Sequence, residues 1–102
     1  MIIETLAFDV TGMTERQAYC FVESFRLGIA EYPGLVAHAR MRLPNSNRYV
    51  IVGTWESAEA LNAFRHSDLY ARFLLSPKVE TIGDHEEAVD RGESRVELTA
   101  AA

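Results

Sequence analysis

Arg48-Tyr49-Val50-Ile51-Val52-Gly53-Thr54-Trp55 is the stretch that decides the fold. In an extended chain Tyr49, Ile51, Gly53 and Trp55 fall on one side, and Val50, Val52 and Thr54 on the other. Both sides are largely apolar, which is the pattern of a strand covered on both faces. A chain of 102 residues is one domain in length. Its own helices can cover one face of a sheet, and a second copy of the chain is the cover expected for the other.

The neighbouring segments follow from this strand. Pro44-Asn45-Ser46-Asn47 is turn chemistry. Before it, Leu35, Ala37, Ala39, Met41 and Leu43 alternate with Val36, His38, Arg40 and Arg42, which predicts another strand with one apolar and one polar face. Residues 2–10 also alternate, with Ile2, Leu6, Phe8 and Val10 sharing a face with Glu4. Between these two strands Thr14 and Gln17 have capping-box spacing. Ala18, Val22, Phe25, Ile29 and Tyr32 then form one helical stripe that Pro33-Gly34 terminates. Cys20, within that helix, reads as a small buried or half-buried hydrophobe.

Beyond Trp55, Ser57 is an N-cap and Ala60, Leu61 and Phe64 are a buried stripe. The pattern breaks at His66-Ser67-Asp68, and Ser67 can cap a further helical turn or two carrying Leu69, Tyr70, Phe73 and Leu74. A fourth strand is expected within residues 79–89, in the later half from Asp84 to Val89. The order β-α-β-β-α-β is the ferredoxin-like α+β pattern, with helices on one face and a bare face that pairs with a copy of itself. Residues 1–90 make the domain, and 91–102 are a C-terminal extension or an extra strand.

Charge and composition narrow the function classes. Acidic and basic residues balance over residues 1–78, so the formal net charge of −5 lies in the last quarter of the chain. An acidic segment repels phosphate and anionic lipid, so neither nucleic acid nor membrane is an expected partner. The single Cys forms no internal disulfide and the start has no basic, apolar leader, so the location expected is cytoplasmic. The six glycines form neither a dinucleotide fingerprint nor a phosphate loop. His38, His66 and His85 occupy three different elements without metal-ligand spacing. No cofactor is expected.

Tyr32-Pro33-Gly34-Leu35, followed by Arg48 to Trp55 and then Glu56-Ser57-Ala58-Glu59-Ala60, resembles the antibiotic biosynthesis monooxygenase family. The resemblance covers nearly the whole of residues 1–90 and implies a dimeric α/β barrel. It also implies one of several activities. Haem-degrading relatives carry an Asn on the first strand, a Trp in the second helix and a haem-ligating His. The first strand here has no Asn, and Phe64 and Leu74 stand at the other two positions. The cofactor-free oxygenases place an Asn four residues before the strand-end Trp, where this chain has Ile51.

What the resemblance leaves as the first expectation is a small cofactor-independent monooxygenase acting on an aromatic or polycyclic quinol-like ligand. Such chemistry needs an apolar slot, a base and stabilisation of an anion. His66 is the expected base because histidine titrates near neutrality, with Tyr70 assisting. Trp55, Phe64 and Phe73 are the expected slot walls, and Arg72, His38 and Tyr49 the polar groups lining it. The alternative is a non-catalytic dimeric ligand-binding or interaction module of the same fold, with a haem-degrading monooxygenase ranked behind it. Every one of these side chains also has a plain reading as core or solvated surface.

Overall fold

The computed structural model describes residues 1–89, so the extension or extra strand expected over residues 91–102 lies outside the described residues. The chain runs β1 (Ile2–Val10), α1 (Glu15–Ile29), β2 (Leu35–Arg42), β3 (Arg48–Trp55), α2 (Ala58–Arg65), α3 (Asp68–Leu74) and β4 (Val79–Ala88). The four strands form one antiparallel sheet in the order β2-β3-β1-β4, with the three helices on one side. This is the ferredoxin-like α+β fold expected from the sequence. Among the described residues no helix is long and apolar enough to cross a membrane.

The helix boundaries have local causes. The Thr14 hydroxyl accepts from the Gln17 amide, and the Gln17 side chain accepts from the Thr14 amide, so the capping box is complete. Ser57 and Ser67 cap α2 and α3 in the same sense, each hydroxyl accepting a backbone N–H three residues on. The α1 stripe of Ala18, Val22, Phe25 and Ile29 is buried as predicted. The helix itself stops at Ile29, and residues 31 and 32 tighten into i→i+3 bonds that leave Tyr32 half-buried. Cys20 is exposed on the outer side of α1, contrary to the expectation of burial.

Two strands differ from their sequence reading. In β2 the register shifts between Leu35 and Ala37. The shift puts Leu35 on the helix-facing side, opposite Trp55, together with His38, Arg40 and Arg42. Strict alternation had grouped Leu35 with Ala37, Ala39 and Met41, but a bulge resets the period. The polar side of β2 therefore faces α1, and ion pairs zip the two together. Glu23 holds Arg26 and Arg40, and Glu15 holds Arg42 at 2.9 Å. β4 runs the whole of Val79–Ala88 rather than its later half, because its backbone pairs with β1 throughout, around an irregularity near Gly83. Backbone pairing, not side-chain hydrophobicity, makes this acidic edge a strand.

Between sheet and helices the core is aromatic. Phe64 meets Phe25, Tyr32, Trp55 and Tyr70, and Phe73 meets Phe8, Phe21 and Phe25. Each buried ring of this kind contributes about 2–3 kcal/mol by area alone. The opposite face of the sheet carries Ala7, Val50 and Val52 at its centre, with Ala37, Ala39 and Met41 beside them.

Gly34 connects α1 to this sheet. Its φ of 88° is left-handed, its carbonyl accepts the Glu56 amide at 2.8 Å, and a β-carbon there would collide with that of Ala60. Replacing Gly34 with Ala should therefore destabilise the chain by about 2 kcal/mol. Urea unfolding measures this directly, and an unchanged midpoint would show that the turn relaxes freely.

Candidate functional site

The helix-facing side of β1 places one charged residue in an apolar row. Glu4 sits between Ile2 and Leu6, faces the helices and is only 6% exposed. A carboxylate in that position needs partners. The nearest is Arg65, the last residue of α2, whose Nε (3.2 Å) and Nη2 (3.1 Å) both donate to Glu4 Oε2. The same guanidinium donates through Nη1 to Glu86 Oε2 at 2.7 Å and through Nη2 to Asp84 Oδ1 at 3.4 Å. Asp84 and Glu86 share the inward side of β4, opposite Leu6 and Glu4. The break between α2 and α3 brings in the fourth member: Ser67 starts α3, and the Tyr70 hydroxyl donates to Asp84 Oδ2 at 2.7 Å.

Burial and crowding set the proton affinities of this cluster. Burial first, and then the neighbouring Asp84, push the Glu4 carboxyl up to about 7, against the lowering pull of Arg65. Burial also raises the Tyr70 phenol, reinforced by the hydrogen bond to Asp84, so the hydroxyl stays a donor. Burial works against the charge on Arg65, yet Glu4 and Asp84 hold its guanidinium protonated above the ordinary value. A cleft of about 320 Å³ opens beside Arg65 and Glu86, lined also by Ala58, Glu59, Leu61 and Asn62.

Trp55 and Phe64 adjoin this cluster. The indole stacks on Phe64 at 5.0 Å, and Phe64 meets the edge of Tyr70 at 5.1 Å. Gly53, opposite Glu4 in the sheet, leaves room for the indole: its Nε1 lies 3.0 Å from where a β-carbon would stand. That Nε1 is buried and has no hydrogen-bond acceptor among the described residues. An unpaired buried donor is costly, so it is a position where an oxygen acceptor would be favoured.

The structure thus brings Trp55, Phe64 and Tyr70 together beside Glu4. The other expected residues lie elsewhere. His66 caps α2 at the surface, its Nδ1 2.8 Å from the Asn62 carbonyl. Arg72 is exposed on α3. Phe73 is buried among Phe8, Phe21 and Phe25. His38 lies across β3 from Glu4 and contacts Arg26 Nη1 through Nδ1 at 3.2 Å. Tyr49 stacks against Phe8, its buried hydroxyl unpartnered, and burial raises its phenol. Sequence reading missed Glu4, Arg65 and Asp84 as a site. The available signal was a glutamate in the apolar row of a strand.

The family model for antibiotic biosynthesis monooxygenases matches residues 12–74, and the chain belongs to that family. No curated protein matches it in sequence. Among solved structures, it resembles SnoaB, a cofactor-independent oxygenase from Streptomyces nogalater. That match has 16% identity and a TM-score of 0.73, covering 88% of this chain and 93% of the other. A Bordetella bronchiseptica protein assigned to the same family matches at 23% identity and a TM-score of 0.68, covering 87% of this chain and 96% of the other. The protein YJCS matches at 11% identity and a TM-score of 0.73, covering 87% and 98%. At these identities the likeness is one of fold.

The Glu4 carboxyl holds its proton more tightly in the folded chain, at about 7, than its ordinary value of 4.5. Its stabilising contribution is complete below that ordinary value and is lost as the pH rises through about 7. Glu23 is shifted the other way, to about 2, first by its hydrogen bond to Arg26, so its contribution is lost only in acid. Between about pH 5 and about pH 8 the urea midpoint should therefore fall, at up to about 1.4 kcal/mol per unit of displacement. Glu4→Gln should flatten that slope, and a variant with the wild-type slope would assign it to another group.

Proposed function

We propose that this chain is a cofactor-independent monooxygenase acting on an aromatic or polycyclic quinol-like compound, with Glu4 as its base. The observation that carries the reading is a buried carboxyl that titrates near neutrality, beside an arginine, a tyrosine donor and an unpaired indole N–H. Glu4 in its ionised form removes a proton from a substrate O–H or activated C–H bond. Arg65 balances the negative charge that passes to the substrate, and Trp55 Nε1 donates to its oxygen. The anion then gives one electron to O₂. Recombination of the substrate radical with superoxide forms a C–O bond, the peroxide anion takes back a proton through Glu4, and the resulting hydroperoxide loses water to leave a carbonyl. Tyr70 keeps the assisting role expected of it, and the exposed His66 cedes the base to Glu4.

Oxygen uptake with a panel of anthrones and hydroquinones, a chelator present, tests the reading. Uptake above autoxidation is expected, with a loss of about 100-fold or more in Glu4→Gln. Uptake unaffected by that substitution would remove Glu4 from the chemistry.

The aromatic packing favours a second reading, a non-catalytic ligand-binding or interaction module. The rings that would wall a slot fill one another's space, as in the 3.8 Å stack of Phe25 on Phe73. Trp55 is the only tryptophan, so its fluorescence reports ligand entry at that point. A quinol that changes the emission without oxygen uptake would favour the module.

Either reading operates in a cytoplasmic homodimer closed through the open sheet face. Ala7, Val50 and Val52 support this, as does Met41 at 55% exposure. Val52→Lys should convert the dimer to a monomer in light scattering after gel filtration. A wild-type chain that elutes as a monomer would rule the dimer out.

A further inference from the structure

One nitrogen of Arg65 touches both inward carboxyls: Nη2 lies 3.1 Å from Glu4 Oε2 and 3.4 Å from Asp84 Oδ1. The two acids stand on neighbouring antiparallel strands and share the helix-facing side. Two carboxylates crowded on one cation, one of them shut away from water, repel each other, and a shared proton relieves that repulsion. The other oxygen of Asp84 accepts the Tyr70 hydroxyl at 2.7 Å, which leaves Oδ1 for the Arg65 nitrogen that Glu4 also holds. The Asp84 side chain is 25% exposed against 7% for Glu4, so the pair leads from the interior toward solvent.

We propose that Glu4 and Asp84 form one proton-sharing pair, in which Asp84 is a positioning residue that passes a proton between the buried Glu4 and water. This deepens the reading of Glu4 as the base and takes its catalytic meaning from that reading, whereas the sharing is a property of the free protein. A proton taken from substrate onto a Glu4 oxygen moves to Asp84 Oδ1 and then to water. The electron pair stays on the substrate, so the relay step needs no oxidant. The groups facing the pair are Arg65 from α2, Tyr70 from α3 and Glu86 from β4, while Gly53 presents no side chain from β3. The upward displacement of Glu4, in part by Asp84, agrees with this arrangement.

Carboxyl-carbon NMR of the whole chain, from about pH 4 to about pH 9, tests the pair without substrate. The Glu4 δ carbon and the Asp84 γ carbon should shift in a common step. In Asp84→Asn the Glu4 midpoint should fall by about one unit or more. Tyr70→Phe keeps both carboxyls and should retain the common step, which covers the case in which Asp84→Asn fails to fold. Separate steps in the wild type, or a Glu4 midpoint unmoved in folded Asp84→Asn, would overturn the pair. Oxygen uptake does not bear on these titrations. A chain without turnover but with the common step would lose the oxygenase reading and keep the pair, and turnover with separate steps would do the reverse.

Discussion

A buried carboxylic acid on an inner strand constrains everything around it. Glu4 lies on β1, which is flanked by β3 on one side and β4 on the other, beneath a layer of helices. An unpaired charge there would cost several kcal/mol. The structure offsets that cost with a cation from the end of α2 and by holding the proton to about neutral pH. Placing Arg65 over Glu4 fixes where α2 must end. Ending α2 there leaves Ser67 to start a new helix, and the new helix carries Tyr70 to Asp84. The polar cluster and the helix break are therefore one structural solution.

The two edges of the sheet handle charge in opposite ways. β2 turns His38, Arg40 and Arg42 toward α1, where Glu15 and Glu23 meet the arginines. Those pairs are partly solvated, so their worth lies in docking the edge in register more than in stability. β4 is acidic and pairs on its inner side with β1 alone. Its Asp84 and Glu86 both pair with Arg65, and Asp84 also accepts the Tyr70 hydroxyl, so one guanidinium and one phenol couple the last strand to the helix layer. Charge on an edge strand also discourages indiscriminate pairing with other chains.

Much of this was legible in the residues. Alternation in β1 and β3, three serine or threonine caps and the α1 stripe from Ala18 to Ile29 all act within a few residues, and each appears in the structure as read. What escaped reading acts across the fold. The shift at Leu35 depends on how β2 meets β3, and alternation alone carries no trace of it. β4 is a strand because β1 offers it a ladder, while its own side chains argue for loop. The site was half visible: Trp55, Phe64 and Tyr70 share a cluster, and Glu4 stood out as a charge in an apolar row. Its partners lie far along the chain, and no spacing rule joins residue 4 to residues 65 and 84.

The aromatic core and the polar cluster make opposing demands, and Phe64 stands between them. Its ring holds the Trp55 indole on one side and the edge of Tyr70 on the other. Close packing at that ring keeps water from Glu4, which is what holds the carboxyl near neutrality. Phe64 is carried on α2 and Tyr70 on α3. Those helices are eight and seven residues long and are joined at a break, so each is anchored by few buried side chains. Short, separately capped helices are the part of this fold best suited to open locally while β1, β3 and α1 stay in place. Separating α2 and α3 from the sheet would expose Glu4 to water and lower its proton affinity, so local opening and the proton affinity of Glu4 are physically coupled.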